Sequence, residues 1–263
     1  MCLCHPDLHS CAAAESPVAP GVASIGDMGR VIGIVGARGG AGASLLAASL
    51  AVEYAFVGDR SGPGRAAVVD LSRGAGLDVL LGIEELPGAR WPDLHQARGS
   101  VDGAELRAVL PTWREVGILS TDRERPRPTP VDVIGDVLDA LTDVHDVVVL
   151  DLDRADLLGT EPHPAVGRCA TVLLVAPLDL RAVAGGVALR GVLDVQVDDV
   201  RLVLRGPSPG GLGASEVAHV LGLPLAGSLP YRRRLDAAVE AGLGPPHRGA
   251  YARAVRRLAR ELG

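Results

Sequence analysis

The chain has 263 residues, enough for one large domain or a domain with a tail. Hydrophobic residues make up 48% but aromatics only 2%, so a core must be built from Val, Leu, Ile and Ala. The formal net charge of −6 weighs against a protein that coats nucleic acid, and all 26 basic residues are arginine, so no site can draw on a lysine.

Residues 1–28 are rich in Ala, Pro, Gly and Ser without periodicity, and read as a flexible tail ahead of a domain over 29–263. Cys2, Cys4 and Cys11 lie there with His5 and His9. Cys and His are zinc ligands, but the C-x-C-H spacing matches none of the usual zinc pairs, so the tail reading is favoured over a metal site. The first residues lack the basic-then-apolar pattern of a secretory signal. No apolar run reaches the roughly 18 residues of a membrane-spanning helix. A cytoplasmic protein is expected.

Residues 31–35 are an apolar run that reads as a first strand; the glycine-rich loop GARGGAGAS follows, then a helix-compatible run over 44–56. Residues 58–64, GDRSGPG, break the chain in a turn. AAVVDL, 66–71, is a second strand with Asp70 near its end. Residues 72–94 predict a loop with short helical pieces, 101–110 a helix and 116–120 a strand. RERPRPTP, 123–130, must be loop, because three prolines exclude helix and central strand. Apolar residues at 131, 133, 134, 137, 138 and 141 form a helical stripe. DVVVLD, 146–151, is a buried strand ending in Asp151. Further strands are expected at 170–177, 200–204 and 224–229, with helices at 181–192, 214–221 and 251–262. Trp91 and Trp113 read as core anchors. About seven apolar strands alternating with helices imply a doubly wound, mostly parallel α/β sheet covered on both faces.

In such sheets ligands sit at the C-terminal ends of the strands, where the glycine loop, Asp70 and Asp151 all fall. A glycine loop that opens a helix presents backbone N–H groups and partial positive charge to phosphate. Two kinds of protein use one. In a dinucleotide-dependent oxidoreductase, Gly33, Gly36 and Gly39 would be the fingerprint and Asp70 the ribose-binding acid. In a P-loop nucleoside triphosphatase the pattern is G-x-x-x-x-G-K-[ST]; Gly42 and Ser44 are in place, and Ala43 stands where the lysine belongs. The second reading is favoured, because Ser44 puts a hydroxyl where Mg²⁺ needs a ligand and Asp151 follows four apolar residues as a Walker B acid does.

ARGGAGAS resembles the deviant P-loop of the MinD/ParA group, K-G-G-x-G-K-[ST], with Arg38 where the group has its signature lysine, then Gly39, Gly40 and Gly42. VVDLSRGAGLDVLLG resembles the group's D-x-D-x₃-G-x-D region: Asp70 matches the first acid, Ser72 stands at the second, and Gly76 and Asp78 fit. VVVLDL resembles its Walker B strand, LLVAPLDLRAV the strand and loop after it, and LGLPLAGSLP, ending at Pro230, the late segment near the adenine. Within the group, GARGGAGAS, GLDVLLGIEELPGARWPDL and APLDLRAVAGG are most similar to the CpaE-like, septum site-determining (Ssd) proteins of actinobacteria. The resemblance spans about residues 30–245. Proteins of that kind often carry a receiver-like domain ahead of the P-loop domain, and residues 1–28 are too few for one.

The resemblance implies ATP and Mg²⁺ as ligands. It places Gly36, Arg38, Gly39, Gly40, Ala41, Gly42, Ala43, Ser44, Leu45 and Pro230 at the nucleotide, Ser44, Asp70 and Asp151 at the metal, and Asp70 and Arg38 in catalysis. Gly76 and Asp78 would lie in a switch loop ordered by the γ-phosphate. It implies a nucleotide-dependent homodimer, since the signature lysine of the group reaches the partner's nucleotide, and a role in septum placement or in pilus or secretion-system localisation with proteins of those systems. Loss of the loop lysine at Ala43 removes one charged donor, worth on the order of 10²–10³ in rate. Hydrolysis is therefore expected to be slow or absent, an inactive scaffold being the alternative. Arg205 stands where the group has an adenine-contacting Asn.

MinD has a C-terminal amphipathic membrane helix, and YARAVRRLAREL carries Tyr251, Val255, Leu258 and Leu262 on one stripe among arginines. The stripe has no Trp or Phe, so packing on its own domain is favoured over peripheral membrane contact. Tyr231-Arg232-Arg233-Arg234 would suit DNA phosphates, as in ParA proteins, with a solvated basic turn as the default.

Overall fold

The computed structural model describes residues 28–57, 65–73, 76–99, 101–127, 129, 131–231 and 233–263. The expected tail with its Cys/His cluster, up to residue 27, and the turn at 58–64 lie outside the described residues.

Strand β1 (Arg30–Gly36) leads through the glycine loop into helix α1 (Ala43–Val57). Next come β2 (Ala66–Leu71), α2 (Leu77–Leu81), α3 (Gly103–Val109), a short β3 (Thr112–Trp113), β4 (Val116–Leu119) and α4 (Val131–Val144). Then follow β5 (Val147–Leu152), α5 (Arg154–Leu157), β6 (Thr171–Pro177), α6 (Leu180–Leu193), β7 (Val200–Arg205), α7 (Ala214–Leu221), β8 (Leu225–Leu229), α8 (Arg233–Glu240) and α9 (Gly249–Leu262). The eight strands form one sheet in the order β3-β4-β2-β5-β1-β6-β7-β8. All pairings are parallel except β3 with β4.

Three elements depart from expectation, the first being the short helix α5, which follows Asp153 as its N-cap and was not expected. Strand β3 is the eighth strand: Thr112 and Trp113 turn back onto β4 through Arg114 and Glu115, whose φ angles are 49° and 67°. Two successive positive φ angles close a tight hairpin of the primed kind without the usual Asn or Gly. Of the stretch 231–234 expected as a solvated basic turn, Arg233 and Arg234 open a helix that runs to Glu240. Leu235 anchors that helix in the core, and Asp236 sits in its first turn, where the helix dipole favours an acid.

Alternation along the strands splits the core in two. Val31, Val35, Val69, Leu71, Val148, Leu150 and Leu174 pack with α3, α4, α6 and α7 on one face. Ile32, Ile34, Val68, Val149, Leu173 and Val203 pack with α1 and α9 on the other. Trp91 is buried, while Trp113 is half-buried under the Arg114 guanidinium.

The small residues of α1 let α9 lie close against it. Tyr251, Val255, Leu258 and Leu262 are all buried there, Arg256 pairs with Glu53 of α1 at 3.0 Å, and Arg30 holds the Leu262 carbonyl at 2.5 Å. The apolar stripe of the terminal helix is thus covered by its own domain. Among the described residues, no helix is long and apolar enough to cross a membrane.

Strand β5 lies between β1 and β2, so Asp151 is opposite Ile34 on one side and Asp70 on the other. In the dinucleotide fold β1 and β2 are neighbours. Here β5 separates them, which takes the acid of β2 away from a ligand seated at the end of β1.

Far from that edge in sequence, the chain after α8 crosses over α2. A Cβ on Gly82 would run into the Gly242 carbonyl oxygen, so the two backbones meet directly.

Candidate functional site: a glycine loop between two buried carboxylates and two arginines

The loop after β1 is shaped by two left-handed glycines, Gly40 (φ 69°) and Gly42 (φ 95°), a conformation that L side chains rarely adopt. It is anchored where Ala37 donates its N–H to the Val175 carbonyl at 2.9 Å. Helix α1 begins at Ala43, and its first N–H groups have no helical acceptor and open onto a cleft. That cleft encloses about 460 Å³ and is lined by Gly36, residues 38–45, Ser72, Asp151, Asp153, Arg154, Arg205 and the α8 side chains Asp236, Val239 and Glu240. A second space of about 760 Å³ shares Ser44, Ser72 and Asp151 with it and runs under α2 towards residues 239–242.

Asp151 is buried at the cleft floor, and its Oδ2 has no hydrogen-bond partner. Burial raises its pKa, and the Asp70 charge opposite raises it further; the Ser44 hydroxyl beside it favours the ionised form. Asp70 is fully buried but saturated. Its Oδ1 accepts from the Ser72 N–H (2.9 Å) and hydroxyl (2.6 Å), and its Oδ2 from the Leu77 N–H (2.8 Å) and the Ser120 hydroxyl (3.3 Å). Burial pushes its pKa up, against the pull of those donors. Asp70 thus fixes the start of the segment that forms the cleft's far wall.

That segment is pinned twice more. The Trp91 indole donates to the Asp70 carbonyl at 2.6 Å. Arg90 and Asp78, both almost wholly buried, pair at 3.2 Å, and the Arg90 guanidinium is wrapped by the carbonyls of Ile83, Leu86, Gly88 and Ala89. Ser120 bridges Asp70 to Asp78.

Arg38 lines the cleft, but its Nε and Nη2 both donate to Asp179 Oδ2, at 3.0 and 2.6 Å. The guanidinium holds the Asp179 carboxyl below its usual range, and Asp179 also caps α6 through the Ala182 N–H at 2.9 Å. Arg205, at the end of β7, reaches across to the loop and donates from Nη1 to the carbonyls of Gly40 (3.2 Å) and Ala41 (3.3 Å).

The structure therefore brings Gly36, Arg38, Gly39, Gly40, Ala41, Gly42, Ala43, Ser44, Leu45 and Asp151 to one cleft, with Asp70 just behind Ser72. Pro230 stands beyond the end of β8 and is not among the lining residues. Sequence reasoning missed Asp179 as the partner of Arg38, and the α8 wall. It placed Arg205 near the site but not against the loop.

No family model matches the chain. It is 40% identical over 237 residues to the uncharacterized protein Rv3660c of Mycobacterium tuberculosis (strain ATCC 25618 / H37Rv), and equally so to MT3760 of strain CDC 1551 / Oshkosh. The match covers 89% of this chain and 64% of each relative's length. Among solved structures it is similar to a ParA family ATPase from Chlorobium tepidum, with a TM-score of 0.77 at 15% identity over 90% of this chain and 100% of that one. It is also similar to MinD in the MinC:MinD cell division protein complex of Aquifex aeolicus, with a TM-score of 0.71 at 17% identity over 89% and 95%. The septum site-determining protein MinD of Pyrococcus horikoshii, complexed with Mg-ADP, gives a TM-score of 0.71 at 18% identity over 89% and 96%. With its parallel strands in the order β4-β2-β5-β1-β6-β7-β8 and its glycine loop after β1, the chain has the fold of the ParA and MinD ATPases.

Proposed function

We propose that the chain is an ATP- and Mg²⁺-binding switch protein of the MinD/ParA kind, closest in type to the CpaE-like septum site-determining proteins. The observation that carries this is the buried, unpartnered Asp151 Oδ2 beside Ser44 at the mouth of a glycine loop. A divalent cation fits that donor set: Mg²⁺ takes one or two protein oxygens and completes its shell with phosphate oxygens and water. Among the described residues no cluster of three or more His, Cys, Asp or Glu offers a closed metal cage, in keeping with a metal that arrives with its nucleotide.

In this reading the loop N–H groups of Gly39, Gly40 and Gly42 to Leu45 would bind phosphates, Ser44 and Asp151 would hold the metal, and Asp70 holds Ser72 and the start of α2 beside the cleft. Bound Mg²⁺ would neutralise phosphate charge. Arg38 keeps a cation at the signature position, with its Nε/Nη2 edge held by Asp179, so a phosphate there would have to compete with that carboxylate. Ala43 supplies no charge, so turnover is slow or absent and the protein works by holding nucleotide. A homodimer formed with ATP, acting in the cytoplasm in septum placement or in pilus or secretion-system localisation, completes the proposal. The MinC:MinD complex among the similar structures is a precedent for a division partner.

The test is equilibrium titration of the chain with ATP, ADP and NAD, with and without Mg²⁺, alongside size measurement. ATP binding that requires Mg²⁺, is lost in Asp151→Ala and shifts the chain to a dimer supports the proposal. Binding of NAD in preference to ATP overturns it.

A further inference from the structure

Ala43 leaves the start of α1 without a cationic side chain, yet a cation stands there from another strand. Arg205 closes β7, its side chain is 16% exposed, and Nη1 bridges the Gly40 and Ala41 carbonyls. A Cβ on Gly42 would come 3.0 Å from that same nitrogen, so the guanidinium lies against the last glycine before the helix. The Tyr231 ring lies 5.7 Å from the guanidinium carbon, and Asp236 Oδ1 accepts from Nη2 at 3.4 Å.

Guanidinium has five N–H donors. Two go to neutral carbonyls and one to the half-exposed Asp236, leaving Nε–H and one Nη2–H unused in the cleft that the phosphate loop lines. Resting on the nucleotide-binding reading above, we propose that Arg205 supplies from β7 the phosphate-directed charge that Ala43 does not, so that polyphosphate binding depends on it whatever the base. Loop and arginine are matched: the carbonyls it grips belong to the loop itself, in the two residues that lead into Gly42 and the start of α1.

The experiment is isothermal titration of the full chain with Mg²⁺-tripolyphosphate, Mg²⁺-ATP and Mg²⁺-GTP. The proteins are wild type, Arg205→Gln, Arg205→Lys, Ala43→Lys and the Ala43→Lys/Arg205→Gln double variant, each checked by circular dichroism and thermal melting. A charged donor of this kind is worth roughly 10–100-fold in affinity. Arg205→Gln is expected to lose that much for all three ligands, with Arg205→Lys in between. In the Ala43→Lys background the same change should cost less than about threefold, because the loop then has its own cation. A merely structural prop for the Gly40 and Ala41 carbonyls would not be rescued by Ala43→Lys. Equal losses in both backgrounds, or a loss confined to the nucleotides with tripolyphosphate unaffected, overturn the inference while leaving the nucleotide reading intact. A wild type that binds none of the three overturns both.

Discussion

Replacing Asp78 by Asn should cost this fold about 3 kcal/mol. The side chains of Asp78 and Arg90 are 7% and 6% exposed, and their contact is 3.2 Å. Asn can keep Oδ1 for the Val79 N–H, at 2.9 Å, and for the Ser120 hydroxyl, at 3.1 Å, but it then turns an NH₂ toward the Arg90 Nε–H in place of the accepting Oδ2, so the change removes the charge and its acceptor together. Breaking a buried ion pair by losing one partner costs about 3–5 kcal/mol, because the survivor is left uncompensated. Four backbone carbonyls still solvate the guanidinium, which puts the expectation at the lower end. For a chain of this size about 3 kcal/mol is a fall of roughly 6–12 °C in Tm. The assay is urea and thermal unfolding of the nucleotide-free protein, with Arg90→Met and the double variant completing a cycle. The double variant should lose less than the sum of the singles by about 0.5–3 kcal/mol. An Asp78→Asn protein within about 1 kcal/mol of wild type would refute the reasoning, since attraction and desolvation would then already cancel in the native pair.

Leu258→Ala should destabilise by about 2–5 kcal/mol, read by urea unfolding, because Leu258 is buried between α9 and α1. Burial and then the Asp70 charge push the Asp151 carboxyl up to about 8, so at pH 7 the folded chain must hold a proton that the unfolded chain has released. Asp151→Asn removes that cost, should stabilise the nucleotide-free protein at pH 7 by about 1–3 kcal/mol, and should abolish Mg²⁺-dependent binding; an unchanged Mg²⁺ requirement counts against it. Burial holds the pKa of His145 below its usual 6.5, so the unfolded chain binds the extra proton first as pH falls. Stability should therefore drop as pH falls below about 6.5 and level off below the folded-state pKa, and His145→Gln should remove up to about 1.4 kcal/mol per pH unit of that slope. Burial pushes the Cys169 thiol up to about 12, and its Sγ–H donates to the Ala165 carbonyl at 3.3 Å. Peptide mass spectrometry after alkylation at pH 8 should find it unmodified in the folded protein and modified in urea.

Strands buried on both faces announce themselves, which is why 66–71 matches its element and 170–177 and 200–204 fall within a residue of theirs. Helix 214–221 also matches, because its apolar residues recur at helical spacing. Strand β3 was invisible because two residues carry no period and Arg114-Glu115 is no turn signal. At the site, whatever is contiguous was legible: the loop, Ser44 and Asp151. Arg38 with Asp179, and Arg205 with the loop, are contacts across 141 and about 165 residues, and no local pattern encodes them. The apparent defect at Ala43 looked different once the fold put a guanidinium from β7 beside it. Ser72, which reads as a lost acid, is a donor to the acid that remains.

The crossing of Gly82 and Gly242 acts as a rivet. One wall of the cleft is carried by α2, the other by α8 and the chain that follows it, and at the rivet they meet backbone to backbone. The closeness of that crossing sets how far apart the two walls stand. A Cβ at position 82 would run into the Gly242 carbonyl oxygen, so a single methyl group there would have to push the walls apart in a cleft whose floor is Ser44 and Asp151, though it touches neither.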